Sequence, residues 1–271
     1  MRLKVALLPG LIVSLLVLHP EFARAQDDAA ALKSAVNSST RGPEDVARDQ
    51  YRHPIETLTF FGIKPDMTVV EMSPGGGWYT DILAPYLHDQ GKLYEAVPPG
   101  ENTIEYKKKL ADDPARFGKI TVTQLDPPDK LKLAPPGSAD MVVTFRNVHN
   151  WMRGGNGEAV FKAMYAALKP GGILGVEEHR GDPSQPQDPK AASGYVREDS
   201  VITMAEEAGF ILAGKSDINA NPKDTKDYAK GVWTLPPTLR LGDTDKAKYL
   251  AIGESDRMTL KFLKPIKTTS R

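Results

Sequence analysis

The chain has 271 residues, 40% of them apolar, with 35 Lys and Arg set against 35 Asp and Glu. That length and apolar content can bury one large core, and without a basic excess there is no charge basis for holding nucleic acid through its phosphates. There is no cysteine, which excludes disulfides, thiolate-held metals and a thiol nucleophile.

The N-terminus reads as an export signal. Arg2 and Lys4 precede an apolar run from Val5 to Leu18 that is too short to span a bilayer comfortably. Ala23-Arg24-Ala25 then supplies a small-x-small cleavage site before Gln26. A cleavable signal over 1–25 predicts a periplasmic or secreted bacterial protein without a stable membrane anchor. The mature chain would carry 32 basic against 34 acidic side chains. Residues 26–42 are expected as a flexible lead-in, and 43–271 as one domain.

Pro43 to Phe61 reads as a helix, with Val46, Tyr51, Ile55, Leu58 and Phe61 at near-helical spacing. Tyr51, Arg52 and His53 are candidates to line a pocket. Val69-Val70-Glu71-Met72 is an apolar strand ending beside an acid. Ser73-Pro74-Gly75-Gly76-Gly77 turns it into a helix from Trp78 to Leu87. Glycines let the backbone approach a ligand where a Cβ would collide. The second strand, Lys92 to Val97, contains Glu95. That acid lies 24 residues after Glu71, near the spacing at which an acid meets a ribose diol. A polar helix from Asn102 to Ala111 leads to a third strand, Ile120 to Leu125, which ends at Asp126. Asp126 is either an acceptor for an adenine amino group or a plain turn residue before Pro127-Pro128. Pro127 to Gly137 is too proline-rich for a full helix.

Ala139 to Phe145 forms a fourth strand that runs into Arg146-Asn147-Val148-His149-Asn150-Trp151, the densest polar and aromatic cluster in the chain. A helix over Gly157–Leu168, a Lys169-Pro170-Gly171-Gly172 stop and a fifth strand over Ile173–Glu177 lead to Glu178-His179-Arg180. The loop Gly181–Gly194 is a candidate lid. A helix to Gly209, a sixth strand over Phe210–Ile218, a long connection anchored by Trp233 and a last antiparallel strand over Met258–Leu263 complete the chain. The fold expected is an α/β, Rossmann-like doubly wound sheet, mostly parallel and seven-stranded, with helices on both faces.

This order resembles the class I S-adenosylmethionine-dependent methyltransferases over about residues 43–264. Ser-Pro-Gly-Gly-Gly-Trp-Tyr-Thr at 73–80, Arg-Asn-Val-His-Asn-Trp at 146–151 and Asp-Arg-Met-Thr-Leu-Lys-Phe at 256–262 look more narrowly like a group of exported bacterial predicted methyltransferases. The family's first motif is an acid, x, Gly, x, Gly, x, Gly. Glu71, Gly75 and Gly77 match it, while Ser73 replaces the first glycine. The resemblance implies S-adenosylmethionine as cofactor. Glu71, Gly75, Gly76 and Gly77 would then hold its methionyl side, Glu95 the ribose and Asp126 the adenine, with Ser73 and Asn147 as further cofactor-binding candidates. A nicotinamide fingerprint would need a glycine or alanine at position 80, which is Thr80.

Methyl transfer from a sulfonium asks the protein for alignment, a water-poor site and often a base. His149 is the leading base. His179, beside Glu177 and Glu178, is second, so His149, His179 and Glu178 are the catalytic candidates. Arg146, Trp151 and Tyr195 are candidate acceptor contacts. No close H-x-x-x-H or H-E-x-x-H spacing points to a metal. The function expected is S-adenosylmethionine-dependent methyl transfer by an exported protein to an acceptor the sequence does not name, with a small molecule as the expected partner. Because the methyl donor is made in the cytosol, an exported binding protein with this fold and no turnover is the alternative.

Overall fold

The computed structural model describes residues 20–266, so most of the expected signal segment lies outside the described residues. The strands are β1 (Thr68–Met72), β2 (Lys92–Val97), β3 (Thr121–Asp126), β4 (Lys130–Lys132), β5 (Ala139–Phe145), β6 (Leu168–His179), β7 (Ile211–Ser216) and β8 (Arg257–Leu263). They form one sheet in the order β4-β3-β2-β1-β5-β6-β8-β7. Val69-Val70 in β1 and Met141-Val142-Val143 in β5 are fully buried, as central parallel strands covered on both faces must be. β1 pairs in parallel with β2 on one side and β5 on the other. The chain therefore winds outward in opposite directions from β1 and β5, and a crevice opens beyond their carboxyl ends.

One face of the sheet is packed by Trp151, Phe161 and Met164, with Val201 and Ala205 from the helix Glu198–Glu207. The other is packed by Leu58 and Phe61, by Ile82 and Leu83 from the helix Thr80–Leu87, and by Tyr106 from the helix Glu101–Asp112. Among the described residues, no helix is long and apolar enough to cross a membrane.

The sheet has eight strands where the sequence predicts seven. The addition is β4, an edge strand antiparallel to β3 in the proline-rich stretch expected to be irregular. Its Lys-Leu-Lys alternation turns Leu131 inward, in too short a run to register in the sequence. The expected antiparallel strand, β8, lies between β6 and β7 and pairs antiparallel with both. The expected helix over 43–61 is three short ones, Pro43–Val46, Asp49–Arg52 and Pro54–Phe61. His53 breaks it with a left-handed φ of 39°, since a residue before proline is disfavoured from continuing a right-handed helix. Part of the expected lead-in is packed structure. A helix spans Pro20–Val36, and Leu32, Ala35 and Val36 are buried.

Candidate active site

β1 delivers the chain into the glycine turn at the centre of the crevice. Ser73 holds a left-handed φ of 50° where a glycine is the easier residue, and its N–H continues the ladder to Ala96 O at 2.9 Å. The glycines serve two different ends. A Cβ on Gly75 or Gly76 would meet nothing within 4 Å, and both residues line the cleft. A Cβ on Gly77 would sit 3.0 Å from the Tyr106 ring and 3.1 Å from Lys109 Nζ. Gly75 and Gly76 are thus bare toward a ligand, whereas Gly77 is bare toward the helix Glu101–Asp112.

The cleft has a volume of about 430 Å³, within the roughly 300–1,000 Å³ of small-molecule sites. Glu71, Ser73, Gly75 and Gly76 form one wall. Phe145, Arg146, Asn147 and His149 enter from the end of β5, His179 from the end of β6, and Trp233 from the connection before β8. Asn147 spends its amide hydrogens on β1, donating to Met72 O at 2.9 Å, which ties the two strand ends together. Arg146 is left-handed at φ 61°, a strained backbone at a cleft wall.

Glu71 and Glu95 are register partners on β1 and β2 and face the same side of the sheet. Glu71 accepts a hydrogen bond from Thr80 Oγ1 at 2.8 Å, and that hydroxyl lies 3.1 Å from Tyr106 Oη. Burial lifts Glu71 from 4.5 to about 7. Burial first, and then the neighbouring Glu71 charge, hold Glu95 well above the usual carboxylate range. Glu95 is fully buried, and its polar neighbours are the Glu71 carboxyl and the Tyr106 and Thr80 hydroxyls.

The donor expected from the sequence can be tested against these groups. Its methionyl side is provided for by Glu71 and the bare Gly75–Gly76 floor. A carboxylate such as that of Glu95 suits a ribose diol, which offers two hydroxyl donors. Glu95 does not line the cleft, however, and neither does its neighbour Tyr106. Asp126 does not reach it either: it sits at the end of β3, part-exposed and paired with Lys130 at 3.4 Å, as a turn aspartate would.

Two further groups complete the walls. Glu177, fully buried, meets Arg257 Nη1 at 3.2 Å and Arg146 Nη1 at 3.3 Å, and accepts the Tyr79 hydroxyl at 3.1 Å. Arg257 continues to Glu254 at 2.9 Å, which also takes Arg48 at 2.7 Å and Arg52 at 3.0 Å. Four guanidiniums thus share two carboxylates, an excess of positive charge along one wall. His149 Nδ1 lies 3.0 Å from Glu178 Oε1, and His179 Nδ1 lies 2.6 Å from Ser255 Oγ, next in the chain to Glu254. The two imidazole centroids are 5.4 Å apart, and the Trp233 ring meets that of His149 edge-on at 5.9 Å. Burial first, then the charges of His149, Arg146 and Arg257, press the His179 pKa well below its ordinary value, so its ring is neutral.

The structure therefore brings Glu71, Ser73, Gly75, Gly76, Asn147, His149 and His179 to one cleft, with Glu178 directly behind the histidines. Of the three candidates before β1, only Arg52 lines it. Trp151 packs edge-on against Phe161 in the core, and Tyr195 directs its hydroxyl to Asp224 at 2.9 Å. The loop 181–194 does not border the cleft; Trp233, Pro236 and Pro237 do. Sequence reasoning missed Arg48, Trp78, Glu254 and Ser255. Only Trp78, next to the glycines, carried a signal that could have found it.

Residues 70–176 match a family model described as a methyltransferase domain. Among solved structures, the chain is similar to a SAM-dependent methyltransferase from Aquifex aeolicus, at 16% identity and TM-score 0.55, covering 88% of this chain and 98% of that one. The cyclase SpnF aligns at 13% identity and TM-score 0.57, over 91% of this chain and 96% of that one. The glycopeptide N-methyltransferase MtfA, complexed with sinefungin, aligns at 15% identity and TM-score 0.51, over 80% and 93% respectively. At such identities the likeness is one of fold. No curated protein matches the chain by sequence.

Proposed function

We propose, on the premise that this chain carries a class I S-adenosylmethionine-dependent methyltransferase domain, that it moves the methyl group to a small acceptor held between His149, His179 and Trp233. The observation that carries this reading is the bare Gly75–Gly76 floor, with Glu71 beside it, opening onto the cleft beyond β1 and β5. Bound there, S-adenosylmethionine supplies an already activated methyl group. The chain supplies alignment and shelter from water, and the acceptor's proton must leave toward a polar group. Glu71 and the glycine turn hold the methionyl side. The excess of guanidinium on the wall formed by Arg48, Arg52 and Arg146 suits a carboxylate. The His149–Glu178–His179 cluster lies at the same cleft, where the acceptor would be activated.

Titration calorimetry of the purified protein with S-adenosylmethionine and S-adenosylhomocysteine tests this. Micromolar or tighter binding of both is expected, and binding of neither overturns the reading. One observation favours a second reading, that of a binding protein without turnover: Glu95 is buried and does not line the cleft. Donor binding without S-adenosylhomocysteine formation, across hydroxyl and amine acceptors, would select it. Export remains part of the proposal. It predicts a mature N-terminus at Gln26, readable by mass spectrometry, and that cut would fall within the helix Pro20–Val36 and leave its buried Leu32, Ala35 and Val36 in place.

A further inference from the structure

The acids at the end of β6 are neighbours in sequence and opposites in company. Glu177 has two arginines within ion-pair distance. Glu178 is equally buried, and among the described residues no lysine or arginine lies within ion-pair distance of it; the side chain it meets is the His149 ring. Its oxygens instead accept the backbone N–H groups of His179 at 2.7 Å and His149 at 3.2 Å. A buried carboxylate without a permanent counter-charge is costly, and a cation beside it removes that cost.

The surroundings of Glu178 are those of a cation site. Ligand atoms of His149, Glu178 and His179 all lie within 4.8 Å of one another. His149 stands at the start of the helix Val148–Arg153, just past β5, and Glu178-His179 closes β6, so two adjacent parallel strands present all three groups at one level. His149 Nδ1 and Glu178 Oε1, 3.0 Å apart, are spaced as two ligands of one ion, while His179 Nδ1 is held by the Ser255 hydroxyl and both histidines line the cleft. An imidazole hydrogen-bonded through one nitrogen is the usual preparation for a metal at the other. Two imidazoles and one carboxylate suit a divalent first-row transition ion, and a site open to a cleft leaves coordination positions for a small molecule.

We propose that His149, His179 and Glu178 hold one divalent transition-metal ion of the zinc type at the acceptor wall of the cleft. Resting on the methyl-transfer reading, this narrows the acceptor to a molecule whose oxygen coordinates and ionises on the ion, with its proton released to solvent.

The test needs no methyl donor, so its failure leaves the methyl-transfer reading intact, and failure to bind the donor leaves this one intact. Full-length protein stripped by chelator is titrated with Zn(II) by calorimetry and with Co(II) by visible absorption. One ion per chain is expected at micromolar affinity or tighter, with a Co(II) d–d band. His149→Ala and His179→Ala should each weaken binding by at least about 100-fold, and Glu178→Gln by about 10- to 100-fold. His53→Ala and His88→Ala should leave it unchanged. Circular dichroism shows whether each variant folds, and His149→Gln replaces one that does not. Absence of saturable binding by the wild type overturns the proposal, and so does binding that persists in folded variants at both histidines. Either result would leave a metal-free His149–Glu178 pair.

Discussion

Glu71 and Glu95 stand side by side across β1 and β2, both buried, with the Thr80 and Tyr106 hydroxyls as their polar neighbours. Two carboxylates so placed cannot both ionise cheaply, and burial lifts Glu71 from 4.5 to about 7. A carboxyl that holds its proton more tightly when folded stabilises the fold at low pH. That contribution is whole below the ordinary value of 4.5 and is lost as pH rises through about 7. The loss is about 2–4 kcal/mol, or roughly 5–10 °C in melting temperature. Calorimetric melts from pH 5 to 8 should show this fall in the wild type and a flatter course in Glu95→Gln. Parallel courses would mean that the pair does not share a proton.

Tyr106 gives the same corner a second consequence. Its ring lies against Gly77 and its hydroxyl neighbours Glu95, which does not line the cleft. A ligand that needs Glu95 must displace the ring, and its apparent affinity falls by the fraction of time the ring stays in place. Tyr106→Ala should therefore tighten S-adenosylhomocysteine binding by about three- to tenfold. The gain should vanish in Tyr106→Ala/Glu95→Gln. Calorimetry over the four-member cycle reads the coupling directly; additive effects would assign Glu95 a structural role alone.

The two faces of the glycine turn separate binding from folding. Gly76 has no left-handed φ, and a side chain there would enter the open cleft. Gly76→Val should melt within about 2 °C of the wild type while donor binding falls at least tenfold, roughly 1.4 kcal/mol or more. Gly77 has a φ of 83°, and an added Cβ would press on Tyr106 and Lys109. Gly77→Ala should cost about 1–3 kcal/mol of stability, visible in urea denaturation. Equal melting temperatures for the two variants would contradict this division.

Local pattern carried most of the architecture. β2 and β5 were legible to the residue, because apolar runs bounded by turn signals leave little choice. β4 was not, since three residues cannot display a period, and the break at His53 needed the pre-proline restriction to outweigh a good helical repeat. The site divides in the same way. Glu71, Gly75, Gly76 and His149 lie within a few residues of a strand end and could be placed from the strand alone. Arg48 and Glu254 are 206 residues apart and meet only in three dimensions, and Trp233 reaches the cleft from a connection without periodicity. The seclusion of Glu95 depends on side-chain packing around it, which strand spacing does not encode.

The wall built on Glu177 and Glu254 makes an asymmetric prediction. Arg48, Arg52, Arg146 and Arg257 contribute four positive charges against these two acids. Arg257 is 1% exposed and bridges the pair. Removing a partner from a buried ion pair ordinarily costs about 3–5 kcal/mol, because the other charge is left without compensation. Here the two directions differ. Arg257→Met lowers the positive excess, and each carboxylate keeps other guanidiniums, so its cost should fall below that range. Glu254→Gln raises the excess and leaves Arg48, Arg52 and Arg257 facing one another, so it should cost the full amount, about 10 °C or more in melting temperature. Added sulfate should return part of that loss in Glu254→Gln and little in Arg257→Met, since an anion can stand in for the missing carboxylate only where positive charge is uncompensated. Thermal melts with and without sulfate decide the matter, and an Arg257→Met protein less stable than Glu254→Gln would show that packing of the arginine stem, and not charge balance, holds this wall together.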